Sequence, residues 1–521
     1  MIEKKTKKQN ILHLPVLCAL AGITTGVVVT LFKFCINLMS KLSVIVYSFI
    51  RQRPQFIPVL IAGLAVCAFL IFLLIKKAPD IKGGGIPRAE GILRGLITFK
   101  WLRVLIGTFV SGLLTFISGL SLGTEGPSVM IAAAAGKGIS QRYPVLSRYV
   151  MTGTSAAGFS VATGAPLSGI VFVLEEIHKR FSLLLLSVVM LTVACATVTA
   201  NILSPLLQLD TTFFSIEPLT NLPLELIWLP VVIGLFAGLI ASLFNRSMDA
   251  LNRFFEVRLK RVNRFIKIFA VLILTAIAVI FLPETLGSGH HLIEKIIDCS
   301  LALATLILLF VVKIILITLA ANSGATGGIF ISVLVIGAIG GGILFKVMNS
   351  LGMPTQYCAV VVIMCMCATL GASMHAPITA MVFIIEITGA NYNSLFFIVS
   401  VLVAVIVIHL FKTESLNDIM LDKILRQQDG NKQASIIECT YEVGEGSFLV
   451  GKTVRDILFP PNCIIKSFIR KGAPVESLKM VKGGDKVFKC GDIVLLQLQT
   501  YDEQSVKKEL SLLFEQKEVG E

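Results

Sequence analysis

The strongest constraint on the fold is a series of apolar runs long enough to cross a bilayer, at residues 11–50, 57–76, 101–120, 184–204, 224–244, 265–282, 301–321 and 394–411. About 20 apolar residues span the hydrocarbon as a helix, and in lipid every backbone polar group must be paired within the chain. The runs therefore predict an all-α polytopic membrane protein. Between them lie apolar segments too short or too rich in glycine to cross alone, at 84–94, 125–141, 148–177, 328–347 and 356–389. Helices that start or stop inside a membrane are tolerated only where their ends are buried in protein or line an aqueous path. These interrupted segments are the expected working part.

With 55% hydrophobic and only 15% charged residues, the chain is too apolar for a soluble enzyme. Its net charge of +14 reads as cytoplasmic flanks that follow the positive-inside bias, not as a nucleic-acid surface. Lys4, Lys5, Lys7 and Lys8 precede an apolar run that continues past Phe32 without a small-residue cleavage site. This is a retained first membrane helix with a basic tail, 1–11, left in the cytoplasm, and not a secretory signal. The 11 cysteines are scattered without a CxxC pair, so neither a disulfide framework nor a zinc site is expected. Cys365 and Cys367 read as packing residues. No nucleophile triad, Walker loop or metal-ligand cluster appears, so no enzymatic activity, metal or cofactor is expected.

A weak internal repeat divides the membrane region. Segment 157–176 reads AGFSVATGAPLSGIVFVLEE and segment 367–386 reads CATLGASMHAPITAMVFIIE, each with an Ala-Pro step and an apolar helix ending in Glu. SLGTEGPSVMIAAAAGKGI, from Ser121, corresponds in the same way to NSGATGGIFISVLVIGAIGGGI, from Asn322. Each half, 12–208 and 224–426, thus carries a glycine-broken helix followed by an Ala-Pro helix, joined by a polar stretch with Asp210, Thr211, Thr212 and Glu217. Paired interrupted helices in two halves point to a transporter site near the membrane midplane.

Glu125, in GTEGP (123–127), is a lone carboxylate between long apolar stretches, directly before Pro127 and an Ala-rich helix. A carboxylate is costly in lipid, but a helix N-terminus offers it free amides and the positive end of the dipole, which would hold a permeating anion equally well. Glu125 is therefore a natural competitor for an anion; the plainer reading is a helix cap in a watery vestibule. GGGIP (83–87) and the Gly327-Gly328-Ile329-Phe330 loop also lead into helices. Three such loops favour a site of converging helix N-termini, which selects anions without a fixed charge that would trap them. A cation pathway, which wants rings of carboxylates or carbonyls, fits poorly.

GGGIP, GTEGP and GGIF, in this order and spacing, resemble the signature of the CLC chloride channels and chloride/proton antiporters over about residues 12–426. The resemblance implies an inverted-repeat fold of about eighteen helices and a homodimer in the cell membrane with one pore per subunit. Carried over by motif, it implies that Glu125 is the external gate and proton carrier, and that Gly84, Gly85, Ile86, Gly126, Ile329 and Phe330 surround the anion. It further implies that Glu176 is an internal proton-transfer glutamate, with Glu175 and Glu386 structural. Two positions depart from the pattern. Gly84 replaces a serine, and Asn417 falls where a tyrosine usually coordinates the anion, so the inner side of the site loses two hydroxyl donors and weaker chloride occupancy is expected. Ser332 replaces a proline. Features of the fluoride-exporting branch are lacking, since it typically has methionine where Gly84 stands. Glu176 favours chloride/proton antiport; Gly84 and Asn417 favour a passive gated chloride channel. A membrane sensor with a vestigial pore is a third reading.

From 427 onward the composition turns to alternating polar and apolar runs, at 435–441, 463–469 and 493–498, closed by an amphipathic stretch at 503–514. This predicts a small cytosolic α+β domain, placing both termini in the cytoplasm. YEVGEGSFLVGKTVRDI, from Tyr441, and CIIKSFIRKGAPV, from Cys463, with the strand starts at Gly484 and Gly491, resemble the C-terminal RCK (TrkA-C) domain of potassium transport proteins. That resemblance implies two-fold pairing and a regulatory nucleotide or ion ligand; a dimer-stabilising appendage is the alternative. His290, His291 and His375 are read as pH sensors or as ordinary polar residues of loops and helix starts.

Overall fold

The structure, a computed structural model, describes residues 3–83, 85–209, 214, 219–429, 435–460, 463–470, 484–500 and 503–515. The first half contains α1 (Glu3–Gln52), α2 (Ile57–Lys77), α3 (Gly85–Leu93), α4 (Trp101–Ile117), α5 (Glu125–Ile139), α6 (Pro144–Thr163), α7 (Pro166–Phe172), a π-helical turn (Val173–Ile177) and α8 (Leu183–Leu206). The second contains α9 (Leu229–Val257), α10 (Arg264–Phe281), α11 (His290–Ile297), α12 (Leu303–Ser323), α13 (Phe330–Ser350), α14 (Cys358–Met374), α15 (Pro377–Thr388), α16 (Ser394–Leu410) and α17 (Leu416–Asp429). The expected polar linker, with Asp210, Thr211, Thr212 and Glu217, lies outside the described residues.

The repeat is visible in what packs on what. In the first half α5 packs on α6, α6 on α8, α1 on α8 and α6, and α4 and α3 on α5. In the second α13 packs on α14, α14 on α16, α9 on α16 and α14, and α12 and α11 on α13. Helices α1–α8 therefore match α9–α16 one for one. The halves meet where α7 touches α15 and where α2 touches α10, as well as at the loops described below. Large apolar side chains point outward from the long helices, as at Val59, Leu206 and Phe281, the inside-out pattern of a protein surrounded by hydrocarbon.

Two segments expected to be too short or glycine-rich to cross alone prove long and apolar enough to do so: Phe330–Ser350 and Thr355–Met374. The glycines of α13 do not break it; they let α14 approach. A Cβ on Gly337 would lie 2.8 Å from Met366 Cα, and one on Gly341 2.8 Å from Val362 Cα. Small residues serve this close contact in membrane helices. The expected run at 356–389 does break, at His375 (φ 55°), which adopts the left-handed turn that Gly164 (φ 69°) makes in the other half. Each break is followed by Ala-Pro, whose fixed φ suits the first turn of α7 and α15. The expected runs at 101–120 and 394–411 are 17-residue helices, α4 and α16.

The expectation of no disulfide is corrected. Cys299, just after α11, is bonded to Cys358 at the start of α14, with Cα atoms 6.5 Å apart, a separation that a disulfide can bridge. Spacing gave no hint, because 59 residues separate the two in sequence. Cys365 and Cys367 are buried and unbonded.

The C-terminal unit is an antiparallel sheet of β1 (Ser435–Glu442), β2 (Cys463–Ile469) and β3 (Ile493–Thr500) in the order β1-β3-β2, with α18 (Glu503–Phe514). Tyr441, Phe468, Phe488, Leu496 and Phe514 fill its core. It docks directly on the membrane helices. The Tyr149 hydroxyl donates to the Asp456 carbonyl (2.7 Å) and accepts from the Leu458 N–H (3.1 Å), and the Ser182 hydroxyl donates to the Asp456 carboxylate (2.6 Å).

Candidate functional site

Three glycine-rich loops meet at the centre of the membrane region. Gly123 and Gly328 exchange both backbone hydrogen bonds, at 2.7 and 2.8 Å, and the Gly83 N–H donates to the Gly324 carbonyl at 3.3 Å. These bonds draw the N-terminal ends of α3, α5 and α13 together. The approach is backbone to backbone. A Cβ on Gly126 would stand 2.8 Å from Gly328 Cα and 3.0 Å from Gly85 N, and one on Gly85 would collide with the Gly126 carbonyl. No other residue fits at either position.

The expected anion-site residues are thereby assembled. Gly85 and Ile86 open α3, Gly126 is in the first turn of α5, Ile329 caps α13 and Phe330 opens it, and all five are buried. Gly84 lies outside the described residues. The first backbone amides of a helix have no partner within it and carry the positive end of its dipole. Three such ends at one spot offer donors that would suit an anion without a formal charge. Beside it the Phe330 ring packs against Phe159 (5.0 Å between centroids) and Phe383 (5.1 Å), with Phe172 stacked on Phe159 at 4.7 Å.

Glu125, the first residue of α5, is 0% exposed. Its Oε1 accepts from the Thr124 hydroxyl at 2.9 Å. Its Oε2 makes no hydrogen bond and lies beside Gly328, in the loop that leads into α13. The side chain thus reaches from the end of one helix to the end of another, where an anion would sit.

Glu176 lies in the π-helical turn and is 4% exposed. Its Oε1 accepts a hydrogen bond from the Asn417 side-chain amide, while its Oε2 and the Asn417 Oδ1 are buried without partners. The structure therefore brings Asn417 to the Glu176 carboxylate. Next to it, the Asp418 carboxylate accepts from Ser415 (2.8 Å) and pairs with Lys179 (3.0 Å).

Glu175 and Glu386 have a different, reciprocal task. The Glu175 carboxylate accepts from the Ile378 N–H (3.0 Å) and from the Thr379 N–H and hydroxyl (both 2.6 Å) at the start of α15. Glu386 accepts from the Leu167 N–H and Ser168 N–H (both 2.9 Å) and the Ser168 hydroxyl (2.7 Å) at the start of α7. Each half caps a helix of the other. The two glutamates follow Pro166 and Pro377 at the same spacing, so the repeat pairs Glu386 with Glu175. Glu176 is left as an extra buried carboxylate whose counterpart is Ile387.

Sequence reasoning missed two supports. Lys313 is fully buried in α12, and its ammonium donates to the Thr285 carbonyl (2.9 Å), the Gly287 carbonyl (3.0 Å) and the Ser121 hydroxyl (3.2 Å). The Ser332 hydroxyl donates to the Ser121 carbonyl at 3.2 Å, which gives that departure from the family pattern a purpose. Both hold the segment leading into Glu125. The signal was present as a single lysine inside LILLFVVKIILITL. The second support is Glu90, buried in the last turn of α3 and paired with Arg94 at 2.9 Å. Among the histidines, His375 ends α14 and stacks on His409 at 4.9 Å.

The chain is similar to the H(+)/Cl(-) exchange transporter ClcA of Citrobacter koseri, at 29% identity over 438 residues that cover 80% of this chain and 89% of that protein. Among solved structures, a slow cyanobacterial Cl−/H+ antiporter superposes with a TM-score of 0.73 at 26% identity, covering 80% of this chain and 99% of that one. A eukaryotic CLC transporter superposes with a TM-score of 0.67 at 20% identity over 80% of this chain and 74% of that one, a likeness of fold. Residues 67–409 match the family model of the voltage gated chloride channels. With its repeat, its three converging loops and that match, the chain belongs to the CLC family of voltage-gated chloride channels.

Proposed function

We propose that the chain exchanges chloride for protons across the cell membrane, with one pathway in each subunit of a homodimer and both termini in the cytoplasm. The observation that carries this reading is Glu125: a fully buried carboxylate with one unpaired oxygen, placed where three helix N-termini offer their amides. Carboxylate and chloride compete for the same donors. Protonation of Glu125 removes its claim on them and lets an anion pass, and the proton it then carries is released to the other side. Glu176, buried and unmatched in the repeat, receives protons from the cytoplasm. The names of the ClcA relatives and of the cyanobacterial antiporter point the same way.

Ile86, Gly126, Ile329 and Phe330 surround the central anion through their backbones, with Gly84 and Gly85 at the inner loop. Asn417 gives one amide N–H to Glu176 and brings no hydroxyl to the anion. That bond also favours a second reading, a passive gated channel in which Glu176 is held away from proton transfer. The C-terminal unit, about 427–521, is an RCK-C-like regulatory module on the cytoplasmic side; its sheet order and closing helix suit that assignment. The test uses purified protein in liposomes, with chloride driven by voltage and internal pH recorded. Exchange predicts uphill proton movement that disappears in Glu125→Gln and falls sharply in Glu176→Gln while chloride still flows. Chloride flux without proton movement in the unaltered protein would favour the channel.

A further inference from the structure

A threonine that precedes a helix ordinarily accepts a hydrogen bond at its side-chain oxygen from the amide of the second or third helical residue. Thr124, the residue before α5, makes no such bond. Pro127, the third residue of α5, has no N–H to offer, and the amide of Gly126, the second, is not capped by it. The Thr124 hydroxyl instead donates to Glu125 Oε1 at 2.9 Å. This is the one side-chain hydrogen bond that the carboxylate receives among the described residues.

The other oxygen is seated on glycine. A Cβ on Gly123 would collide with Glu125 Oε2, and one on Gly328 would stand 3.4 Å from it. Gly123 and Gly328 are joined by their pair of backbone hydrogen bonds, so the carboxylate lies over a pinned floor with a single side-chain donor. No cation bonds to it among the described residues. On the elements around α5, Arg88 pairs with Asp80 and Glu90 with Arg94. Lys313 serves Ser121, Thr285 and Gly287, and Lys346 serves the Cys299 carbonyl.

A hydroxyl that donates to an ionised carboxylate favours the ionised form, and that gain is lost when the carboxylate takes a proton. We propose that Thr124 is a positioning residue of this site: its hydroxyl holds the Glu125 carboxylate ionised over Gly123 and Gly328, and so sets how readily protons and chloride displace it. The inference rests on the reading of Glu125 as the gate and assigns the strength of that gate to its neighbour. It holds whether the path exchanges protons or only conducts chloride.

The test is chloride efflux from liposomes holding the full chain, recorded from acid to alkaline pH. Thr124→Val removes the hydroxyl and keeps the shape of the side chain. A charge-assisted bond shifts the balance between ionised and protonated carboxylate by at least about tenfold. The midpoint of the pH profile should therefore move up by about one unit, and flux on its alkaline limb should rise about tenfold. Thr124→Ser keeps the hydroxyl and should restore the original profile. Thr124→Ala is a second removal at this half-buried position, so a folding defect peculiar to valine does not decide the result. On the Glu125→Gln background neither removal should change the flux, because no carboxylate remains to be held. A midpoint unmoved in both removals overturns the proposal, and so does an equal shift in Thr124→Ser or an equal rise in flux on the Glu125→Gln background. Glu125→Gln alone separates this from the gate reading. If its flux no longer depends on pH while both removals leave the midpoint unmoved, the gate stands and the role of Thr124 falls. If its flux titrates as in the unaltered protein, the gate reading falls and the proposal with it.

Discussion

If three helix ends truly touch through glycine, a single methyl group at Gly126 will disable transport. The added carbon of Gly126→Ala would sit 2.8 Å from Gly328 Cα and 3.0 Å from Gly85 N, whereas nonbonded carbons rest about 3.5–4.0 Å apart. The loops must therefore separate by about 1 Å. Both obstacles are backbone atoms, and the Gly123–Gly328 bond pair pins one of them, so no side chain can swing aside. Overpacking of this kind costs about 1–3 kcal/mol of stability. The functional loss should be larger than the folding loss, because an anion held by amides from all three ends loses one or two charge-assisted hydrogen bonds of roughly 1.5–3 kcal/mol each. Chloride efflux from liposomes should fall at least about tenfold. Gly63→Ala is the control, since nothing lies within 4 Å of its Cβ position, and it should transport normally. Unaltered efflux and melting temperature in Gly126→Ala would refute the convergence of the three ends.

Other expectations follow from the same geometry. Glu386→Ala strands two backbone amides and a hydroxyl at the start of α7, so the melting temperature should drop by the equivalent of about 2–4 kcal/mol, and an unchanged melt would deny the reciprocal caps. Burial alone would raise the pKa of Asp456, but hydrogen bonds from Ser182 and Thr453 outweigh it and hold the carboxyl below its usual 3.8. A lowered folded value adds stability above the unfolded value that is lost as pH falls through the folded one. Docking of the C-terminal unit should therefore persist through neutral pH and loosen only in strong acid, and Ser182→Ala should loosen it sooner; hydrogen exchange at 453–458 reads both. Reduction of Cys299–Cys358, which closes a loop across 59 residues, should cost up to about 4 kcal/mol on the chain-entropy model, and equal melts with and without reductant would contradict that. Asn417→Tyr should tighten chloride binding by calorimetry if the missing hydroxyl weakens the central site, and unchanged affinity would remove Asn417 from that explanation.

Much of this architecture could be read from the chain because membranes restrict backbone so severely. Apolar run length located most helices, and the Ala-Pro steps located the breaks. Glu125 stood out because a carboxylate before Pro127 in such surroundings has few structural uses. What could not be read depends on contacts distant in sequence. The glycines of α13 look like breakers until α14 is seen lying on them. Glu175 and Glu176 are adjacent and chemically identical, and only the partner helix tells the cap from the buried acid. Lys313 reaches three acceptors on two loops, one holding Ser121 and the other Thr285 and Gly287, and Cys299 meets Cys358 because α11 and α14 are neighbours.

The most direct test of coupled exchange is the voltage at which net chloride movement stops in liposomes holding equal chloride on both sides and a pH gradient, with potential clamped by potassium and valinomycin. Exchange predicts a null voltage displaced from zero in the direction set by the proton gradient, returning to zero in Glu125→Gln. A null at zero voltage in the unaltered protein would mean that chloride moves without protons, and would contradict the account.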